Sequence, residues 1–300
     1  MDAISDADPW GDDLQLALLL CQELHYRADL ARGVPDREWE PEIVGFRRLL
    51  EDRFLAAVQA ESAAAAEGLA DDDVDAEFEA LLRADGTGGL SDHLRTSGTR
   101  EQFADYFAGR SLYHLKEADP HAWVIPRLPS AAKAPFVAVE FDEYGGGRPE
   151  RVHQRLYAEL LSESGLDATY LGYLDAAPAA VIAPVTLMTA LSLRGSRRGA
   201  TVGHFAATEV TSSPGSARLV EGLERLGAPA AAVRFYREHV EADAVHEQVM
   251  RHEVVAGLLE AAPDSAADIV SGIRAFGVVE DRLAAAYLGA WRAGTTLMRS

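Results

Sequence analysis

The run His239-Val-Glu-Ala-Asp243-Ala-Val-His246 places two imidazoles and a carboxylate at positions i, i+4 and i+7. On a helix these positions share one face, so three metal-binding side chains converge. Imidazole mixed with carboxylate suits iron, manganese or zinc. The competing reading is a solvated polar face, because Glu238, Glu241 and Glu247 stand in the same run. The spacing Glu-x-x-His also occurs at Glu150-Arg-Val-His153, and Asp243-Ala-Val-His246 repeats it with aspartate. Paired motifs of this kind hold two metals in helix bundles. One match carries little weight in so acidic a chain, but these two fall on different expected helices, as a bundle core requires. Glu209 sits in a mostly apolar stretch, where a carboxylate is costly to bury unless paired or coordinated. If a helix ends before Ser212 and Pro214, Glu209 is instead an exposed helix-end residue.

The elements that must position these groups read as helices. Alanine, leucine, glutamate and arginine abound, the residues that lose least on entering a helix. Phe136 to Val139 and Ala179 to Val185 are the only short strand candidates, and Pro178 and Pro184 argue against the second as a central strand. Proline and glycine punctuation gives helices over Asp12 to Arg27, stopped near Gly33 and Pro35; over Pro41 to about Ala66, with Phe46, Leu49, Leu50 and Phe54 inward; and over Asp71 to Ala84. Asp85 to Asp92 reads as a glycine-rich linker. Further helices are expected near Arg100 to Lys116, Ser130 to Tyr144, Pro149 to Ser164, Pro178 to Leu193, Ala200 to Thr211, Ala217 to Leu226, Ala230 to Leu259 and Ala266 to Arg292. The chain is therefore expected to be all-α, with residues 1–99 forming a helical N-terminal region packed on a bundle of residues 100–300.

Composition sets the outer limits. The 300 residues carry 28 basic and 48 acidic side chains, a net charge of −20, with 48% hydrophobic residues. That is an ordinary globular composition, which excludes disordered and collagen-like classes. The negative balance repels nucleic acid and anionic membrane surfaces, so neither is an expected partner. It also leaves a surplus of carboxylates for a hard cation. No stretch approaches the roughly 20 apolar residues of a membrane span. The acidic start lacks a signal peptide's basic residues. The one cysteine, Cys21, cannot form an internal disulfide, so a cytoplasmic location is expected.

The segment Asp142-Glu143-Tyr144-Gly-Gly-Gly-Arg-Pro-Glu150-Arg-Val-His153 resembles the first metal-binding segment of the haem-oxygenase-like di-iron oxidases and oxygenases, many of them labelled iron-containing redox enzymes. The later signatures of that family are a glutamate on the next core helix and His-x3-Asp-x2-His on the one after. Here they fall on Glu209 and on His239, Asp243 and His246. The resemblance covers roughly Arg100 to Arg292, and the segments Tyr113 to His121 and Cys21 to Tyr26 also look like an actinobacterial branch of the family. Members differ in whether the first carboxylate lies three, seven or ten residues before the first histidine. Those offsets are Glu150, Gly146 and Glu143; the Asp-Glu-x-Gly context favours Glu143, with Glu140 behind both glutamates.

The resemblance implies a seven-helix haem-oxygenase-like bundle holding two irons on Glu143, His153, Glu209, His239, Asp243 and His246. It suggests one iron on Glu143, His153 and His246, the other on His239 and Asp243, with Glu209 and Asp243 available for bridging. It further implies a peroxo-di-iron(III) oxidant, dioxygen as co-substrate, an external electron donor, and a small amino-acid-like or fatty-acid-like substrate. Reactions in such enzymes include N-oxygenation, desaturation and oxidative C–C cleavage, and Leu156, Leu160, Phe205 and Val240 are candidates for an apolar wall that excludes water. Rival readings are a non-redox metal-dependent hydrolase and a structural metal site. Haem, with His25, His114 or His121 as axial ligand, suits a carboxylate-rich interior poorly. Arg194, Arg197 and Arg198 read as a solvated turn that could hold a substrate carboxylate. The apolar first helix offers a dimer face, so a homodimer is expected.

Overall fold

A computed structural model describes residues 6–26, 37–66, 68–84 and 88–299. Among these residues all regular secondary structure is helical. Gly33 and Pro35, expected to stop the first helix, lie outside the described residues, as does Arg27.

Three helices precede the site-bearing part of the chain: α1 (Asp12–Glu23), α2 (Pro41–Ala65) and α3 (Val74–Ala84). α1 packs on α9 (Ala179–Leu193), while α2 and α3 pack on the last helix, α13 (Ala266–Arg292). Leu14 and Leu18 of α1 and Leu50, Phe54 and Val58 of α2 join Leu187, Leu191 and Val279 in one apolar cluster. Each such fully buried Leu or Phe is worth about 1.5–3 kcal/mol. The buried stripe of α2 is thus the i, i+4, i+8 row from Leu50. The expected inward positions Phe46 and Leu49 are exposed instead, because they precede the point where α2 meets the bundle.

The expected linker also needs correction. Leu90, Ser91 and Asp92 open a helix, α4 (Leu90–Thr96), packed on α10 (Arg198–Leu226). Its C-terminal carbonyls are held from α10, where Arg225 donates to the carbonyls of Leu94, Arg95 and Gly98. α5 (Arg100–His114) then begins with a reciprocal cap: the Thr99 hydroxyl accepts from Gln102 N and the Gln102 side chain accepts from Thr99 N. A turn leads into the short α6 (Asp119–Ala122), where a loop was expected at Asp119-Pro120.

The core of the bundle is α7 (Ser130–Glu143), α8 (His153–Glu163), α10 and α11 (Ala230–Val249). The expected helix from Pro149 to Ser164 is split, because residues 149–151 form a single 3₁₀ turn before α8 starts at His153. The two helices expected on either side of Pro214 are one. A proline inside a helix loses a hydrogen bond and crowds the preceding turn at a cost of about 3 kcal/mol. Packing outweighs that cost here: Val210, Leu219 and Leu223 are buried on both sides of the proline, and the Ser213 hydroxyl donates to the Val240 carbonyl of α11. α11 continues through a π-helical segment, Met250–Val255, into α12 (Ala256–Ala261), and the π segment packs on α7.

α10 and α13 approach closely through glycines. A Cβ added at Gly203 would stand 2.0 Å from the Ile269 carbonyl, and one at Gly272 would stand 2.0 Å from the Ala200 carbonyl. Neither position tolerates a larger residue unless the helices separate. The basic turn between α9 and α10 is tied into the fold rather than free: Arg194 pairs with Glu51 at 2.8 Å and with Asp52 at 2.5 Å, and Arg197 with Asp268 at 3.7 Å. Among the described residues no single helix is long and apolar enough to cross a membrane.

Candidate metal centre

α11 turns His239, Asp243, His246 and Met250 inward, while Glu241 and Val245 face out. The polar-face reading of the octapeptide therefore fails for its three metal-binding residues and holds for Glu241. Glu209 lies mid-helix on α10 with 4% of its surface exposed, so it is not a helix-end residue.

Glu143 closes α7 and His153 opens α8, and the chain between them must reverse within ten residues. Gly145, Gly146 and Gly147 make that reversal with φ of 79°, 61° and 78°, a left-handed run that side-chain-bearing residues rarely adopt. A Cβ on Gly145 would also lie 2.7 Å from Val152 N. The turn sets His153 Nδ1 2.7 Å from Glu143 Oε2. The alternative carboxylate Glu150 is exposed on the 3₁₀ turn, and Glu140 is buried one helical turn before Glu143.

Two groups of buried donors result. Glu143, Glu209, Asp243 and His246 form one; Glu117, Glu143, His153 and His239 form the other. Within each group, donor atoms from all members lie within 4.8 Å of one another. Glu143 belongs to both, with Oε2 toward His153 and Oε1 3.4 Å from His246 Nδ1. The division of ligands inferred from the resemblance is therefore corrected: His153 stands with His239, their rings 4.5 Å apart, and His246 with Asp243 and Glu209. Helix phase explains this, since His239 lies two turns from His246 along α11 and faces α8 rather than α10.

Glu117 is the member that sequence reasoning missed. It lies in the turn between α5 and α6, outside any helical spacing pattern. Its signal is faint: it stands three residues after His114, whose Nδ1 is 2.9 Å from Glu117 Oε1, and just before Ala118, whose φ is 71°. A non-glycine residue in that region costs about 1–3 kcal/mol, a strain found where a site over-determines the backbone. His114 thus buttresses Glu117. His121 faces the buried His204 at 3.3 Å and His25 faces Glu38 at 2.9 Å, so these three candidate haem ligands are engaged elsewhere.

The ring orientations are set from outside the groups. His239 Nδ1–H donates to the Phe235 carbonyl at 2.8 Å, which aims Nε2 at Glu117 Oε1, 3.6 Å away. His246 is reversed: Nδ1 faces Glu209 Oε2 at 3.1 Å and Asp243 Oδ1 at 3.5 Å, while Nε2 faces Asp142 Oδ2 at 3.4 Å. Outer partners of this kind fix the tautomer of a metal-binding histidine.

The donor set fits iron. Glu117 Oε2, Glu143 Oε1, His153 Nδ1, His239 Nε2 and Asp243 Oδ1 are all buried without a hydrogen-bond partner. Buried polar atoms are rarely left so unless something else binds them. The set is nitrogen and oxygen only, as a non-haem iron site needs.

Electrostatics describe the metal-free state. Burial alone would lower the pKa of His246, but its contacts with Asp243 and Glu209 and the charge of Glu143 hold it up at about 11. Burial and the Asp243 charge push Glu209 up to about 8, although the His246 contact opposes this. Burial opposes a high pKa at His239 too, yet the Glu117 and Asp243 charges raise it well above the usual imidazole range. Imidazolium charge thus offsets the carboxylates when no ion does. At neutral pH both His246 and Glu209 are protonated, and a metal must displace those protons. Affinity for ferrous or manganous ion is therefore expected to rise with pH up to about 8. The expected slope is at least about tenfold per unit, one proton released per ion bound. Calorimetric titration in buffers of different ionisation enthalpy measures the release; a flat pH dependence would show the protonation scheme to be wrong.

The expected wall residues Leu156, Leu160 and Phe205 are buried, and Val240 is half-buried. Tyr157 and Phe235 pack against His114, with Phe235 also against His239, and give that side of the centre an apolar lining. No curated protein matches the chain. A family model described as iron-containing redox enzyme matches residues 104–280, a span that includes every member of both donor groups.

Proposed function

Because the chain belongs to the iron-containing redox enzyme family, we propose that it is a non-haem di-iron oxidase or oxygenase acting on a small amino-acid-like or fatty-acid-like molecule. The observation that carries this reading is Glu143, one carboxylate shared by two buried donor groups. Each group offers carboxylate and imidazole donors, so a pair of ions would be held side by side with Glu143 between them.

Iron bound there supplies electrons to dioxygen, and an external donor returns the two electrons that insertion of one oxygen atom requires. The protein's own residues do the rest. Glu117, His153 and His239 hold one position; Glu209, Asp243 and His246 hold the other. His114, the Phe235 carbonyl and Asp142 keep Glu117, His239 and His246 in orientation. The aromatic lining from Tyr157 and Phe235 keeps water from the reacting atoms. N-oxygenation, desaturation and oxidative C–C cleavage all lie within this chemistry.

The test is an anaerobic ferrous titration followed by a rapid pulse of oxygen, watched for transient visible absorption. Uptake of about two irons per chain, with colour that forms and decays on oxidation, is the expected result. Uptake without reaction with oxygen would point to a structural site or a non-redox hydrolase, for which the same donors also suit zinc or manganese.

A further inference from the structure

Glu140 is a carboxyl that the two donor groups do not use. It lies on α7 one helical turn before Glu143, on the same face, with 2% of its surface exposed. Neither of its oxygens has a hydrogen-bond partner, and among the described residues no basic side chain pairs with it. The charged groups it feels are all acidic: Glu143, Glu209 and Asp119, which with burial push its carboxyl well above the ordinary range.

Charge balance shows how it differs from its neighbours. Glu117, Glu143, Glu209 and Asp243 carry four negative charges between them, which two divalent ions offset in full. Glu140 is a fifth carboxyl, left without a counter-charge even when both ions are bound. A buried acid with neither charge partner nor hydrogen bonds is costly in either protonation state. A ligand ammonium removes both costs, since it brings one positive charge and N–H donors for both oxygens. A ligand carboxylate at the same place would add a further negative charge beside four acidic groups.

We infer that Glu140 is a recognition residue for a positively charged nitrogen, and that the substrate is a small amine, presented to the dimetal centre by its ammonium end. This rests on the di-iron reading above and selects between its two substrate classes: the amino-acid-like molecule is favoured and a fatty acid entering head first is excluded.

The experiment uses anaerobic, iron-loaded full-length protein and three probes of matched length: hexylamine, hexanol and hexanoate. Binding is followed by calorimetry and by perturbation of the ferrous near-infrared circular dichroism. Hexylamine is expected to bind about tenfold or more tightly than hexanol, the ratio a charge-assisted contact gives, with hexanoate weakest. In Glu140→Gln, which keeps the side chain's shape, the amine and alcohol affinities should fall within about twofold of each other while iron content is unchanged. Equal binding of amine and alcohol by the parent protein, no binding of the amine, or an intact preference in Glu140→Gln would each overturn the assignment. The first two comparisons need no variant, so a misfolded Glu140→Gln does not rescue it. If the parent protein takes up no iron, the di-iron reading is what fails; if it takes up two and shows no amine preference, the role of Glu140 is what fails.

Discussion

Replacing Glu143 with alanine is expected to remove both irons at once and with them all reaction with oxygen. No other residue belongs to both donor groups, and its two oxygens face opposite ways, toward His153 at 2.7 Å and toward His246 at 3.4 Å. Loss of an outer partner alone costs about 10–100-fold in metal affinity, so loss of a shared ligand should exceed about 100-fold at each position. The fold should survive, because α7 is anchored by Phe136 and Val139 in the apolar core rather than by its last residue. Helicity by circular dichroism should match the parent. Glu150→Ala is the control: that side chain is exposed on the 3₁₀ turn, and its loss should leave iron uptake unchanged. If Glu143→Ala still binds two irons, the shared-ligand geometry is wrong.

The second large effect is selective. Asp243→Ala and His246→Ala each remove a member of only one group, so one iron should remain on Glu117, Glu143, His153 and His239 while the other is lost. Turnover with oxygen should fall to background, because one iron cannot deliver both electrons. Metal analysis and oxygen consumption, measured on the same samples, check this. Glu117→Ala should produce the mirror image, with loss of the ion beside His153 and His239. Retained turnover in both α11 variants would sink the assignment.

Much of this centre was legible in the sequence because helical spacing is rigid. His239, Asp243 and His246 at i, i+4 and i+7 share a face on any α-helix, and they share one here. The Glu143–His153 pair needed the resemblance, since the glycine turn between them has no fixed period. Glu117 was hidden for the opposite reason: its position comes from a strained turn, and no repeat announces it. The pairing of ligands was misread because sequence gives the face of a helix but not which neighbour that face meets. The fold shows the same division. Helix types and most boundaries follow from composition and punctuation, whereas the continuity of α10 through Pro214 and the buried stripe of α2 depend on partners far away in the chain. α4 escaped notice because the glycines before it resemble a linker, and only the grip of Arg225 on its end carbonyls makes it a helix that stays.

The glycine contacts between α10 and α13 bear on how the centre can rearrange. With Gly203 and Gly272 each set against the opposite backbone, the two helix axes have no slack to close further, and to part they must give up dense packing. Glu209, six residues along from Gly203, therefore rides on a fixed rail. When the charge between the two ions changes during turnover, its carboxylate must answer by torsion about its own side-chain bonds and not by sliding of the helix. A dimetal centre mounted in this way has one compliant edge, the triple-glycine reversal that carries His153, and one stiff edge. Differences in ionic radius between metals should be taken up almost entirely on the compliant side.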